Sequence, residues 1–261
     1  MRREAGLTLF FSPPVGAGGH ETALADVGAA DFGRPTAAAI AECAAASGAT
    51  VAFSISHQPP QHPYWLELLA LGLTFDLRGL APGMAAQVSA PGHAFGLPRD
   101  EASRLEAVVL RPGPHLVAAG ALLPIVRTMA ALGCELAGLP GLRGIGWEPA
   151  GTIMAPDYYR RTIASWLEGG AFPALGLAAL SRMPDGGMRS IGLGFLLGHE
   201  VELVPLPGES PADTARLAVR VIHDLVQNGS YTPGDHEGPG GEALHCQFNA
   251  DVTVLRLSRS S

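Results

Sequence analysis

The stretch from Phe172 to Leu206 constrains the fold more than any other, because apolar runs alternate there with turn chemistry. Ala174 to Leu180 is apolar, Met183-Pro184-Asp185-Gly186-Gly187 is a turn cluster, and Arg189 to Phe195 reads as a second strand. Gly198 breaks that run, and His199 to Val204 then alternates. On a strand, His199, Val201 and Leu203 share one face and Glu200, Glu202 and Val204 the other.

A chain of 261 residues with 47% hydrophobic content is long enough to bury a full core. The expected fold class is α+β, with a mixed, largely antiparallel sheet packed against helices. It is expected as a single compact domain over 1–261, or two packed halves, with an irregular seam near 78–104. The net charge is -7 and the basic residues are scattered, so no footprint for nucleic acid or an anionic membrane surface exists. All 17 basic residues are arginines. Without lysine, Schiff-base catalysis, pyridoxal phosphate attachment and a phosphate loop ending in Gly-Lys are excluded, and no cofactor is expected.

Cys43, Cys134 and Cys246 lie far apart and in no paired motif, which argues against a disulfide framework and a structural zinc site. Each sits in an apolar stretch and is expected to be reduced and mostly buried. The apolar run Leu7 to Phe11 is too short for a signal-peptide core, and no later stretch reaches the length of a membrane span. The expected compartment is the cytoplasm.

Taken in order, Leu7 to Phe11 reads as a buried strand, and Gly16-Ala17-Gly18-Gly19 as a flexible loop lacking the full dinucleotide fingerprint. Pro35 to Ala46 is an expected helix and Thr50 to Ile55 a strand. His57 to Pro63 is an extended loop, and Tyr64 to Leu73 a short helix with Trp65, Leu68 and Leu69 inward. Leu105 to Leu110 is a strand. The apolar helix from His115 to Leu136 contains Pro124, which kinks it or marks its first turn. Gly144 to Glu148 is a short strand, and Pro156 starts a helix stopped by Gly169-Gly170. Ser210 caps a helix ending at Asn228-Gly229, its apolar face being Leu217, Val221, Ile222, Leu225 and Val226. A glycine-rich loop and two strands, Ala243 to Phe248 and Val252 to Leu257, finish the chain.

Residues 105 to 257 carry a tryptophan strand at Gly144-Ile145-Gly146-Trp147, then Pro156, then Phe172-Pro173-Ala174-Leu175. Ile191-Gly192-Leu193, Leu197-Gly198-His199-Glu200-Val201-Glu202 and the Gly234-Asp235 loop follow. This order resembles the bacterial family catalogued as domain of unknown function 4261. The chain departs from its pattern at Ile191, where a hydroxyl residue is usual, and at His236, where threonine is. The resemblance implies a mixed α+β fold and carries no established activity, substrate or cofactor.

The candidate chemistry is concentrated in the loop Asp235-His236-Glu237, followed by Glu242, His245 and Cys246. Carboxylates and imidazoles so close together can bind a divalent metal, with His236 and His245 as ligands, or form an acid/base pair. Glu200 and Glu202 are the second candidate, since alternate residues bring both carboxylates to one strand face. The third is Arg160-Arg161 beside Tyr158-Tyr159 at a helix start. Two readings follow. One is a non-catalytic binding or protein-interaction protein with an unknown protein partner, associating through an exposed apolar surface or a sheet edge. The other is a metal-assisted hydrolase in which the Asp235, His236 and Glu237 loop works with Glu200 and Glu202.

Overall fold

The apolar run Leu7–Phe11 is strand β1 of the computed structural model, buried along its whole length and paired with a strand on each edge. The structure describes residues 5–13, 33–62, 64–98 and 101–259, so the Gly16 to Gly19 loop lies outside the described residues. The chain divides into two units, one within Glu4–Glu168 and one within Gly169–Ser261. Both are α+β, and in each the sheet is mixed and largely antiparallel.

In the first unit, β2 (Ser54–His57), β3 (Trp65–Ala70), β4 (Leu73–Arg78), β5 (His93–Phe95), β6 (Glu106–Pro112), β7 (Leu142–Trp147) and β8 (Thr152–Met154) join β1. The eight strands run in the order β2-β3-β4-β6-β1-β7-β8-β5, and only β5 and β8 pair in parallel. Helix α1 (Ala37–Ala46) is capped by the Thr36 hydroxyl, which accepts from Ala39 N. Helices α2 (Leu123–Leu136) and α3 (Pro156–Leu167) pack on each other and on the sheet, burying Met129, Leu132, Tyr159, Ile163 and Trp166. Pro124 sits in the first turn of α2, where its missing N–H costs nothing, and a separate 3-10 turn covers Pro114–Ala119.

Three expectations are corrected here. Tyr64 to Leu73 is not a helix, because Leu66, Leu68 and Ala70 are buried at strand period and β3 pairs with β4 from Trp65↔Arg78 to Ala70↔Leu73. Six apolar-rich residues fit either period, and cross-strand pairing decided the outcome. The irregular segment near 78–104 is not a boundary between units. Arg34 holds it, donating to Gly79 O at 2.5 Å and Gly83 O at 2.8 Å while pairing with Glu106 at 2.7 Å. Ala86, Val88, Ala94, Leu97 and Leu105 pack on Phe10, Ala107 and Ile153 as a cover for that part of the sheet. The division falls instead after α3, at Gly169, whose φ of 98° lets the chain leave the helix. The expected strand Thr50 to Ile55 also moves, because the Thr50 and Val51 N–H groups bond the Glu135 carboxylate and pairing begins at Ser54.

The second unit holds β9 (Ala179–Arg182), β10 (Met188–Ile191), the single turn α4 (Gly194–Leu197), β11 (Glu200–Leu203) and α5 (Pro211–Asn228). Strands β12 (Gly234–Glu237), β13 (Ala243–Phe248) and β14 (Val254–Arg259) complete a sheet ordered β12-β13-β14-β11-β10-β9, with β11 and β14 parallel. The first two strands read from sequence are shorter than expected: pairing starts only at Ala179, and Gly192 ends β10 before α4. Ser210 caps α5, its hydroxyl accepting from Asp213 N at 3.2 Å. Removing that cap by Ser210→Ala is expected to lower stability by about 1 kcal/mol in urea melts.

All three cysteines are free, Cys134 and Cys246 buried and Cys43 half-buried. Burial pushes the Cys134 thiol up to about 12 and Cys246 up to about 11, and Cys43 is also raised, by burial first and then by Glu135. The thiols therefore stay protonated near neutral pH. With a chromogenic disulfide reagent at pH 7.5, the folded protein should react slowly and at Cys43 first, and all three should react at once in denaturant. Rapid labelling of Cys134 or Cys246 in the folded state would contradict this placement. Among the described residues, no helix is long and apolar enough to cross a membrane.

Candidate functional site

The segment carrying Asp235, His236 and Glu237 is strand β12, not a loop, correcting the turn expected from its glycines. Backbone pairing from Gly234↔Cys246 to Glu237↔Ala243 makes it the edge of the second sheet. Glycine and charged residues are poor strand formers, so the antiparallel pairing with β13, the next strand in the chain, overrides local preference. Asp235 stands opposite His245, Oδ1 to Nδ1 2.7 Å, but the two side chains are 91% and 58% exposed. His236 turns away from that pair. Its ring stacks on Tyr231, centroids 5.0 Å apart, and Nε2 lies 2.7 Å from Thr232 O.

Glu200 and Glu202 are each engaged within the fold. The Glu200 carboxylate accepts from Ser190 Oγ at 2.5 Å and from the N–H groups of Gly192, Leu193 and Gly194 at 2.9, 3.2 and 3.1 Å. It thereby satisfies the donors at the start of α4, a role that needs no ligand. Glu202 faces Arg256 at 3.6 Å on parallel β14. Among the described residues no three His, Cys, Asp or Glu side chains gather as a metal would require. The Tyr158 to Arg161 group also serves packing. Tyr159 is fully buried and donates to Ala130 O at 3.1 Å, while the Arg161 guanidinium lies 5.8 Å from the Tyr158 ring centroid.

The polar arrangement not anticipated from the sequence centres on His199. That residue is 5% exposed, as expected for the core face it shares with Val201 and Leu203. Its Nε2 lies 2.6 Å from the Ser230 hydroxyl, and Phe248 meets the ring edge-on at 5.0 Å. Ser230 follows the end of α5, and next to it Tyr231 donates to Asp224 at 2.5 Å. Burial and then that Asp224 bond raise the Tyr231 phenol well above its ordinary value, so it remains a donor. The available signal was His199 itself, a histidine on an apolar strand face whose ring nitrogens need hydrogen-bond partners. Its partner comes from 31 positions along the chain, which no spacing rule supplies.

A further pair of residues stands apart in backbone geometry. Leu71 and Val252 are the non-glycine residues with positive φ among the described residues, at 49° and 55°. Both are exposed, at 76% and 58%. Leu71 and Gly72 form the two-residue turn between β3 and β4, and both have positive φ. That geometry favours Asn-Gly and strongly disfavours leucine at the first place. Val252 lies in the β13–β14 connection, where Asn249 Oδ1 accepts from Thr253 N and Val254 N at 2.8 and 2.9 Å. A β-branched residue at positive φ is a genuine outlier.

No family model, curated protein or solved structure matches the chain.

Proposed function

We propose that the chain is a binding or protein-interaction protein whose contacts are made by apolar side chains held out on strained hairpin turns. The observation that carries this is the coincidence at Leu71 and Val252 of large apolar exposure with left-handed backbone. Exposure gains nothing from burial, and the backbone costs of order 1 kcal/mol at each residue. Neither term serves the fold, and strain of this kind is held at places that touch something else. Leu69, 36% exposed, stands two residues before Leu71 near the end of β3. The metal-assisted alternative has less support, because Glu200 and Glu202 are occupied by structural partners and the Asp235–His245 pair stands in solvent.

The test is the effect of removing the strain. Leu71→Asn restores the favoured Asn-Gly turn and should raise stability by about 1 kcal/mol in urea melts, and Val252→Gly should raise it by several tenths. A loss of stability in both would show that the side chains serve the fold rather than a partner.

A further inference from the structure

Beyond partner binding, we propose that Ser230 and His199 form a nucleophile–base dyad that accepts an acyl group from a carboxylic ester. The tautomer of His199 follows from its neighbours. Nδ1 lies 3.2 Å from the Glu200 carbonyl oxygen, which can only accept, so Nδ1 carries the proton of the neutral ring. Nε2 is then the acceptor, and the Ser230 hydroxyl donates to it at 2.6 Å, in preference to the Tyr231 carbonyl at 3.4 Å. This is the relation a general base needs to a serine, with a backbone carbonyl where a carboxylate more often orients the imidazole. The imidazole is buried and held edge-on by Phe248, while Ser230 is exposed at the surface. The base is therefore fixed in place and the nucleophile can be reached from solvent. The backbone N–H groups of Ser230 and Tyr231 bond no described group, which leaves them open to a developing oxyanion.

In the first step Ser230 Oγ bonds to the ester carbonyl carbon as its proton passes to His199 Nε2. The tetrahedral adduct then breaks its bond to the leaving alkoxide, which departs as the alcohol with that proton. Water attacks the acyl-serine in the same way, releasing the carboxylic acid and restoring the Ser230 hydroxyl.

The probe is a fluorophosphonate, in which the Oγ–P bond forms and fluoride leaves with the serine proton. Peptide mapping of the folded full chain should show one adduct, on Ser230, forming about 100-fold or more faster than in the chain unfolded by guanidinium. Ser230→Ala, at an exposed position, should fold normally and take up no label. No adduct on folded Ser230, or labelling of Ser230 no faster than of the other serines, would overturn the proposal. The comparison of folded with unfolded chain requires no variant at buried His199. Its outcome is also separate from that of partner binding, because neither Leu71 nor Val252 takes part.

Discussion

Arg259→Ala is expected to lower the stability of the second unit by about 3 to 5 kcal/mol, because it leaves a nearly buried carboxylate without its counter-charge. Arg259 lies on the last strand, and both of its terminal nitrogens donate to Glu209, Nη1 to Oε1 at 2.9 Å and Nη2 to Oε2. The side chains are only 9% and 13% exposed. Glu209 also accepts from Leu206 N at 3.0 Å and Thr214 Oγ1 at 2.9 Å, so one carboxylate ties β14 to the approach and first turn of α5. The Arg259 bond chiefly, against the opposing effect of burial and with help from Leu206 and Thr214, holds the Glu209 carboxyl at about 2 rather than 4.5.

The pH dependence has a definite sign. A carboxyl whose folded value is depressed contributes its full stabilisation above its unfolded value and loses it as pH falls through the folded one. From Glu209 the contribution is complete above pH 4.5 and is lost progressively towards pH 2. The gap corresponds to about 3 kcal/mol. Urea melts of wild type and Arg259→Ala at pH 7 and pH 3 should therefore converge as the pH falls. A difference that is the same at both values would place the stabilisation elsewhere.

Leu225→Ala should cost about 2 to 5 kcal/mol, since its side chain is fully buried under α5 and its removal leaves a cavity. It lies on the same face as Leu217, Val221 and Ile222, each 2% exposed or less. The cost should exceed that of Ser210→Ala at the start of the same helix, where only a capping bond is lost. Urea midpoints in the reverse order would mean that α5 does not bury this face.

Helix α5 was legible because four local signals agree: a capping serine, proline at the first position, an apolar stripe and a glycine stop. The same holds for β1, whose run Leu7-Thr8-Leu9-Phe10-Phe11, apolar apart from Thr8, suits a strand buried on both faces. Strand β3 was misread because its apolar residues fit two periods, and only β4 and the turn at Leu71-Gly72 distinguish them. Strand β12 was missed because polar edge residues carry no burial signal. Of the candidate site residues, Asp235 and His245 do meet, through cross-strand register, whereas Glu200 turns to its own backbone neighbours. The two strained turns could not be read, since a leucine before glycine gives no sign of positive φ until the strands on either side are paired.

The direct test of the interaction reading is to place a photo-crosslinking amino acid at Leu71 and, as a control, at Glu42, an exposed position on α1. After irradiation in extract of the native host, the chain labelled at position 71 should form a discrete adduct that the chain labelled at position 42 does not. An excess of unlabelled wild type should suppress the adduct, and an excess of Leu71→Asn should not. Absence of any adduct at position 71, or the same products from both positions, would contradict the claim that this turn is a contact site.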